Sequence, residues 1–241
     1  MGKSEYHQRI GRKIEALVIC VNYGDFLKIT LPKNKKQIED ITVITDFNDK
    51  ETIDICNQND VDYILTDEFF RCSFPFVKSA GYTVGFNFLH YKDWILLIDA
   101  DTILNENFGI YIKENITKLN IECLYGCTGF LIEKYSDFLL FKDKKTTEND
   151  LKVITNQWIC NGYFQLFNFE KFKNNKIWEI YPQTGDGKDE DELFRLKFGN
   201  NYQKDGKMIW DREFQKIIDL PVLHLGELGI NHKGRKSRRF E

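Results

Sequence analysis

Short apolar runs alternate with amphipathic or polar stretches along the first half of the chain. Residues 16–21 form a continuous apolar run, which suits a strand buried on both faces. The pattern then predicts a helix opened by Asp25 and stopped at Pro32. Residues 41–45 read as a second buried strand ending at Asp46, 50–57 as a polar helix, and 61–65 as a third strand. Across 75–90, Val77, Gly81, Val84 and Phe88 recur at helical spacing. The run 94–98 is the most hydrophobic strand segment, and it leads straight into Asp99-Ala100-Asp101.

Strands separated by helical segments predict an α/β fold whose central sheet is mostly parallel and flanked by helices. Ligands of such sheets bind at the carboxyl ends of the strands. Asn22, Asp46 and Asp99 each fall at such an end, so three polar residues point to one site. The second half is less regular. Strands are expected over 121–132 and 162–169, a helix opened by acids over 189–198, and a last short strand over 221–226. No internal repeat or linker divides the chain, and a single domain over 1–241 is expected.

Composition narrows the classes. With 20 Phe, 11 Tyr and 4 Trp in 241 residues, the chain holds enough apolar material for a sizeable core. The 34 basic and 37 acidic residues leave a net charge of -3, which argues against a general nucleic-acid binder. None of the six cysteines forms a CxxC pair, so a zinc ribbon is unsupported and buried, reduced thiols are expected. Residues 1–12 are polar, and no apolar run reaches the roughly 20 residues that span a bilayer. A cytoplasmic protein is expected, with the sequon at Asn115 unused.

The chemistry centres on Asp99 and Asp101. Two carboxylates one residue apart, just past a buried strand, project from a turn and can share a divalent cation. Hard oxygen ligands suit Mg2+ or Mn2+, which in turn bind phosphate oxygens. An isolated D-x-D triplet is common; one that ends a run such as 94–98 is a stronger signal.

Two families place such a triplet after a hydrophobic strand. The phosphatases of haloacid-dehalogenase type want Thr or Val two residues after the second Asp, where this chain has Ile103, and their motif usually opens the domain. The second resemblance, to GT-A glycosyltransferases and in particular the small family 2-like enzymes of viruses and bacteria, covers nearly the whole chain. Val21-Asn22-Tyr23-Gly24-Asp25-Phe26-Leu27 resembles their opening into the nucleotide pocket, and Val43-Ile44-Thr45-Asp46 their second strand. Residues 76–87, with Lys78 and Asn87, are similar to their "K-G-x-A-x-N" helix with a shifted spacing. Residues 94–104 resemble the "D-W-I-L-L-L-D-A-D-x-x-L" signature. Residues 162–168 resemble a strand bordering the donor sugar, Asp191-Glu192-Leu193-Phe194 a "D-x-x-F" helix start, and His224-Leu225-Gly226 with 231–235 the "H-L-G … N-W-x-G-R" ending.

The resemblance implies a GT-A, Rossmann-like domain with a nucleotide-binding half over about 13–104 and an acceptor and catalytic half over about 105–241. It implies an inverting, metal-dependent transfer from a nucleoside-diphosphate sugar, UDP favoured, to a glycan or other hydroxyl acceptor. Mn2+ or Mg2+ would be held by Asp101, Asp99 and His224, and Asp191 would be the catalytic base. Asn22, Asp46, Lys78, Asn87, Asp99, Tyr163 and Arg235 would bind the donor, with Lys233 and Arg235 on its diphosphate. Trp158 and Phe164 are further aromatics suited to a sugar face, while Arg238 and Arg239 read as a solvated end. Three alternatives remain beside this one. A haloacid-dehalogenase-like phosphohydrolase departs at Ile103. A sugar-phosphate nucleotidylyltransferase needs a Gly-rich, Arg-containing loop that Asn22-Tyr23-Gly24-Asp25 lacks. A non-catalytic carbohydrate-binding module has no need of Asp101, His224 and Asp191 together.

Overall fold

The computed structural model describes residues 13–71, 76–90, 93–154, 162–182, 190–199, 202–204, 207–209, 213–226 and 239–240. Strands β1 (Ile14–Ile19), β2 (Asp40–Thr45), β3 (Asp62–Leu65) and β4 (Trp94–Asp99) alternate with helices α1 (Gly24–Asn34), α2 (Lys50–Asn59) and α3 (Lys78–Asn87). The four strands pair in parallel, as the alternation of strands and helices predicts, and lie in the order β3-β2-β1-β4. The second half supplies β5 (Thr102–Ile103), α4 (Phe108–Asn115), β6 (Leu124–Ile132), α5 (Tyr135–Lys142), β7 (Lys152–Ile154) and β8 (Phe164–Asn168). It continues with α6 (Ile177–Ile180), α7 (Glu190–Arg195), β9 (Tyr202–Lys204), β10 (Lys207–Ile209) and β11 (Gln215–Leu225). The sheet continues past β4 through antiparallel β8, then β6, β11 and β5, with β7 against β6; β9 and β10 pair separately.

Alternation along β1 and β4 sends side chains to two cores, one on each face of the sheet. Ala16, Val18, Leu96 and Ile98 pack with Leu31, Ile55 and Phe108 on the side of α1, α2 and α4. Leu17, Ile19, Ile95 and Leu97 pack with Tyr82, Phe86 and Phe194 on the side of α3 and α7. Burial on both faces is why these strands are apolar apart from Glu15 and the terminal Asp99. Helix α3 lies close on the sheet because Gly81 and Gly85 face it: a Cβ on Gly85 would meet Ile44, and one on Gly81 would meet Phe69. That close approach carries Lys78 to the end of β4.

Several elements differ from the pattern. Helix α1 runs through Pro32 to Asn34. The ring costs one backbone bond, but the Asn34 side chain bonds both the Thr102 carbonyl and the Leu104 amide, at 2.8 Å each, and anchors that last turn. Asp25 does not cap the helix; it lies in the first turn, fully buried, and accepts the backbone N–H of Phe240. The final strand is longer than the apolar run 221–226, starting at Gln215, and its register with β6 shifts between Ile218 and Val222. Pro221 falls in that irregular stretch, where it has no ladder N–H to lose.

Arg239 is not a solvated end: its guanidinium pairs with both carboxylate oxygens of Glu51, at 2.5 and 3.0 Å. The next residue, Phe240, fills a third cluster with Phe26, Ile103, Ile132, Phe138 and Leu225. Its ring stacks on Phe26 at 5.0 Å. Phe240→Ala is expected to lower the unfolding free energy by about 3 kcal/mol, read as a fall in the denaturation midpoint.

Candidate active site

The first strands end beside one another. Asp46 follows β2 directly and is buried, one carboxylate oxygen accepting the Asn48 amide at 2.8 Å. Asn22 follows β1 in a left-handed conformation (φ 61°) with its side chain exposed. Its backbone N–H donates to Asp49 at 2.7 Å. Asp49, which the sequence reading did not single out, also takes the Thr52 hydroxyl at 2.7 Å and caps α2 through the Thr52 amide. It shapes the turn that presents Asn22. An Asp three residues before a Thr at a helix start was the available signal.

The D-x-D turn is braced from both sides. Thr30 of α1 donates to the Ala100 carbonyl at 2.7 Å, and Asn34 holds Thr102 and Leu104. Beyond the turn β5 pairs antiparallel with β11, setting His224 opposite Thr102, and the Leu225 amide donates to the Asp101 carbonyl at 2.8 Å. These backbone contacts bring His224 Nε2 to 3.6 Å from Asp101 Oδ1. Both residues are buried, and neither Asp101 Oδ1 nor His224 Nδ1 has a hydrogen-bond partner among the described residues. Burial pushes the Asp101 carboxyl up to about 6, with His224 pulling it down and Asp99 adding to the rise. Asp101 Oδ1, without a hydrogen bond among the described residues and with the His224 imidazole beside it, offers an oxygen and a nitrogen donor that suit a divalent ion. Among the described residues no three His, Cys, Asp or Glu side chains form a complete metal cluster, so an ion held there would take its other ligands from elsewhere.

Asp99 belongs to a second group. Its Oδ1 takes the Lys78 ammonium at 2.5 Å, and the same ammonium lies 3.7 Å from Asp191 Oδ1. Lys78 is thus shared by two carboxylates. Burial works against its charge, but Asp191 and Asp99 outweigh that and hold it well above the ordinary lysine range. Asp99 thus pairs with Lys78 through Oδ1 and also lies close enough to Asp101 to raise its carboxyl. The Tyr181 hydroxyl donates to Asp191; burial first, then the Asp191 charge, keeps that phenol protonated. Tyr181 is fully buried, stacked on Phe194 of α7 at 4.6 Å. Neither it nor Glu190, which bonds Ser79 across the site, was singled out in the sequence.

Gly162 packs directly on Asp191: a Cβ there would overlap its carboxylate. Gly162→Ala is expected to push the Asp191 carboxylate away from Tyr181 and Lys78, read as a displaced side chain in a crystal structure of the variant.

The remaining candidates fall differently. Tyr163 is buried behind the site, its hydroxyl on the Cys127 carbonyl at 3.0 Å and its ring edge-on to His224 at 5.9 Å, so it supports the histidine instead of presenting a sugar platform. Phe164 is core. Asn87 bonds the Thr83 carbonyl at the far end of α3, about 13 Å of helical rise from Lys78, and is not brought to the cluster. Arg235, Lys233, Arg238 and Trp158 lie outside the described residues. Cys20, Cys56, Cys123 and Cys127 are buried and form no disulfide among the described residues.

Among solved structures, the mannosyltransferase PcManGT from Pyrobaculum calidifontis, in complex with GDP-Man and Mn2+, matches 93% of this chain and 59% of its own, at 12% identity and a TM-score of 0.54. Glucosyl-3-phosphoglycerate synthase from Mycobacterium tuberculosis, in complex with Mn2+, UDP-Glc and phosphoglyceric acid, matches 67% of this chain and 58% of its own, at 12% identity and a TM-score of 0.44. This chain thus spans 58% and 59% of the length of the two proteins. No protein-family model matches the sequence, and no curated protein does. The fold is the GT-A fold of nucleotide-sugar transferases. No helix among the described residues is long and apolar enough to cross a membrane.

Proposed function

We propose that this chain transfers a sugar from a nucleoside-diphosphate sugar to a hydroxyl acceptor, with inversion at the anomeric carbon and with Mn2+ or Mg2+ as cofactor. The observation that carries the reading is the convergence, at the carboxyl end of β4, of the Asp101–His224 couple, whose Oδ1 and Nδ1 have no hydrogen bond among the described residues, and the Asp99–Lys78–Asp191 group. Asp101 Oδ1 and a His224 nitrogen would hold the ion, the donor diphosphate supplying oxygens beside them. The ion contributes Lewis-acid stabilisation of the departing diphosphate. The PcManGT complex, of the same fold, contains Mn2+ and GDP-Man, which supports the choice of ion and donor class.

The chain's own residues divide the remaining tasks. Asn22 and Asp46, at the ends of β1 and β2, face the nucleoside. Asp99, fixed by Lys78, is directed to donor hydroxyls, and the Lys78 ammonium adds positive charge near the diphosphate. In the transfer step the acceptor oxygen bonds the anomeric carbon as the carbon–oxygen bond to the diphosphate breaks; the bonding pair leaves with the diphosphate. The acceptor proton passes to Asp191, which Tyr181 and Lys78 keep oriented. Of the bases UDP is favoured, with GDP second; the acceptor class is a glycan or another hydroxyl compound.

A thermal-shift panel of nucleotide sugars with and without Mn2+ tests the reading, since ligand stabilisation grows with concentration over Kd. At least one UDP- or GDP-sugar is expected to raise Tm only when Mn2+ is present. A panel in which no nucleotide sugar shifts Tm under either condition contradicts it.

A further inference from the structure

We propose that the buried Ser79–Glu190 pair positions the acid–base end of the site, an inference that rests on the sugar-transfer reading above. Glu190 is only 4% exposed. Its Oε1 takes the Ser79 hydroxyl at 2.5 Å and its Oε2 the Ser79 amide at 3.0 Å, joining residues 111 apart in sequence. Ser79 is fully buried.

Each partner is the chain neighbour of a site residue. Ser79 follows Lys78, Glu190 precedes Asp191, and the Lys78 ammonium stands 3.7 Å from the Asp191 carboxylate. The two-point bond therefore fixes the separation and relative rotation of the backbones that carry Lys78 and Asp191. Helix α7 needs this. It has six residues, too few to hold its shape alone, and Phe194 stacked on Tyr181 anchors only its far end. Of the acids in 189–192, the structure gives Glu190 to the framework and aims Asp191 at the site. Glu190 is a positioning residue; its bonds run to Ser79, and it acts through Asp191.

The test compares wild type with Glu190→Gln, Glu190→Ala and Ser79→Ala. Glutamine keeps an acceptor for the Ser79 amide and a donor for its hydroxyl oxygen, so Glu190→Gln is expected to retain most of kcat. Glu190→Ala is expected to lose about 10²-fold in kcat at an unchanged donor KM, and Ser79→Ala, which keeps the amide bond, to fall between the two. Should Glu190→Ala not fold, the Gln and Ser79 variants carry the comparison. Loss of activity that only tracks loss of folded protein, or that moves kcat and donor KM together, overturns the proposal. Crystal structures of the variants decide it independently of turnover: the Lys78–Asp191 pair should open in Glu190→Ala and persist in Glu190→Gln, and an unmoved Asp191 in Glu190→Ala overturns it. A wild type that turns over no nucleotide sugar defeats the transfer reading alone, and leaves this structural comparison standing.

Discussion

Asp101→Ala is expected to abolish metal-dependent nucleotide binding and sugar transfer while leaving the fold intact. The Asp101 carboxylate is buried, carries no hydrogen bond on Oδ1 among the described residues, and is pushed up to about 6 by its surroundings. Burying that carboxylate costs folding free energy which His224 offsets only in part, so its removal should leave Tm unchanged or raise it. A divalent ion at the leaving group stabilises transition-state charge by several kcal/mol. At 1.36 kcal/mol per decade that is a loss of about 10²–10³-fold or more. Calorimetric titration of nucleotide with Mn2+, read beside a melting curve, separates the lost site from a lost fold.

Asp191→Asn should have an effect of comparable size, and of a different kind. Asparagine keeps an oxygen for the Tyr181 hydroxyl, and Lys78 keeps Asp99, so the local structure survives. What disappears is the group that accepts the acceptor's proton, a loss of about 10²–10⁴-fold in kcat. Nucleotide and metal affinity should be retained, because Asp101 and His224 lie on the β5–β11 side of the site. Loss of nucleotide binding in Asp191→Asn, or of turnover in neither variant, would contradict this division of roles.

The difference between the two halves of the chain explains what could be read from sequence. In the first half β1 and β4 are covered on both faces, so hydrophobicity marks them directly, and the D-x-D turn announces itself as the point where that hydrophobicity stops. In the second half, β11 is exposed at Lys216, Ile217 and Asp219 and breaks register near Pro221, so only its apolar end at 221–226 stood out. Short α6 and the β9–β10 pair have no period long enough to detect. The site residues follow the same division. Asp99, Asp101 and His224 sit where a strand pattern ends. Tyr181 and Glu190, by contrast, act through tertiary contacts to Asp191 and Ser79 that no local spacing encodes. Arg239 belongs with them: its partner Glu51 is 188 residues away, and no run of basic residues reveals that. Lys78 gained its place from the two glycines that let α3 settle on the sheet.

The most direct test of the central claim is the rate of nucleoside-diphosphate release from whichever nucleotide sugar stabilises the protein most, measured for wild type and Asp101→Ala, each with Mn2+ and with chelator. Release by wild type with Mn2+, and in none of the other three conditions, is the predicted result. Release by Asp101→Ala at the wild-type rate, or by wild type equally in chelator, would contradict it.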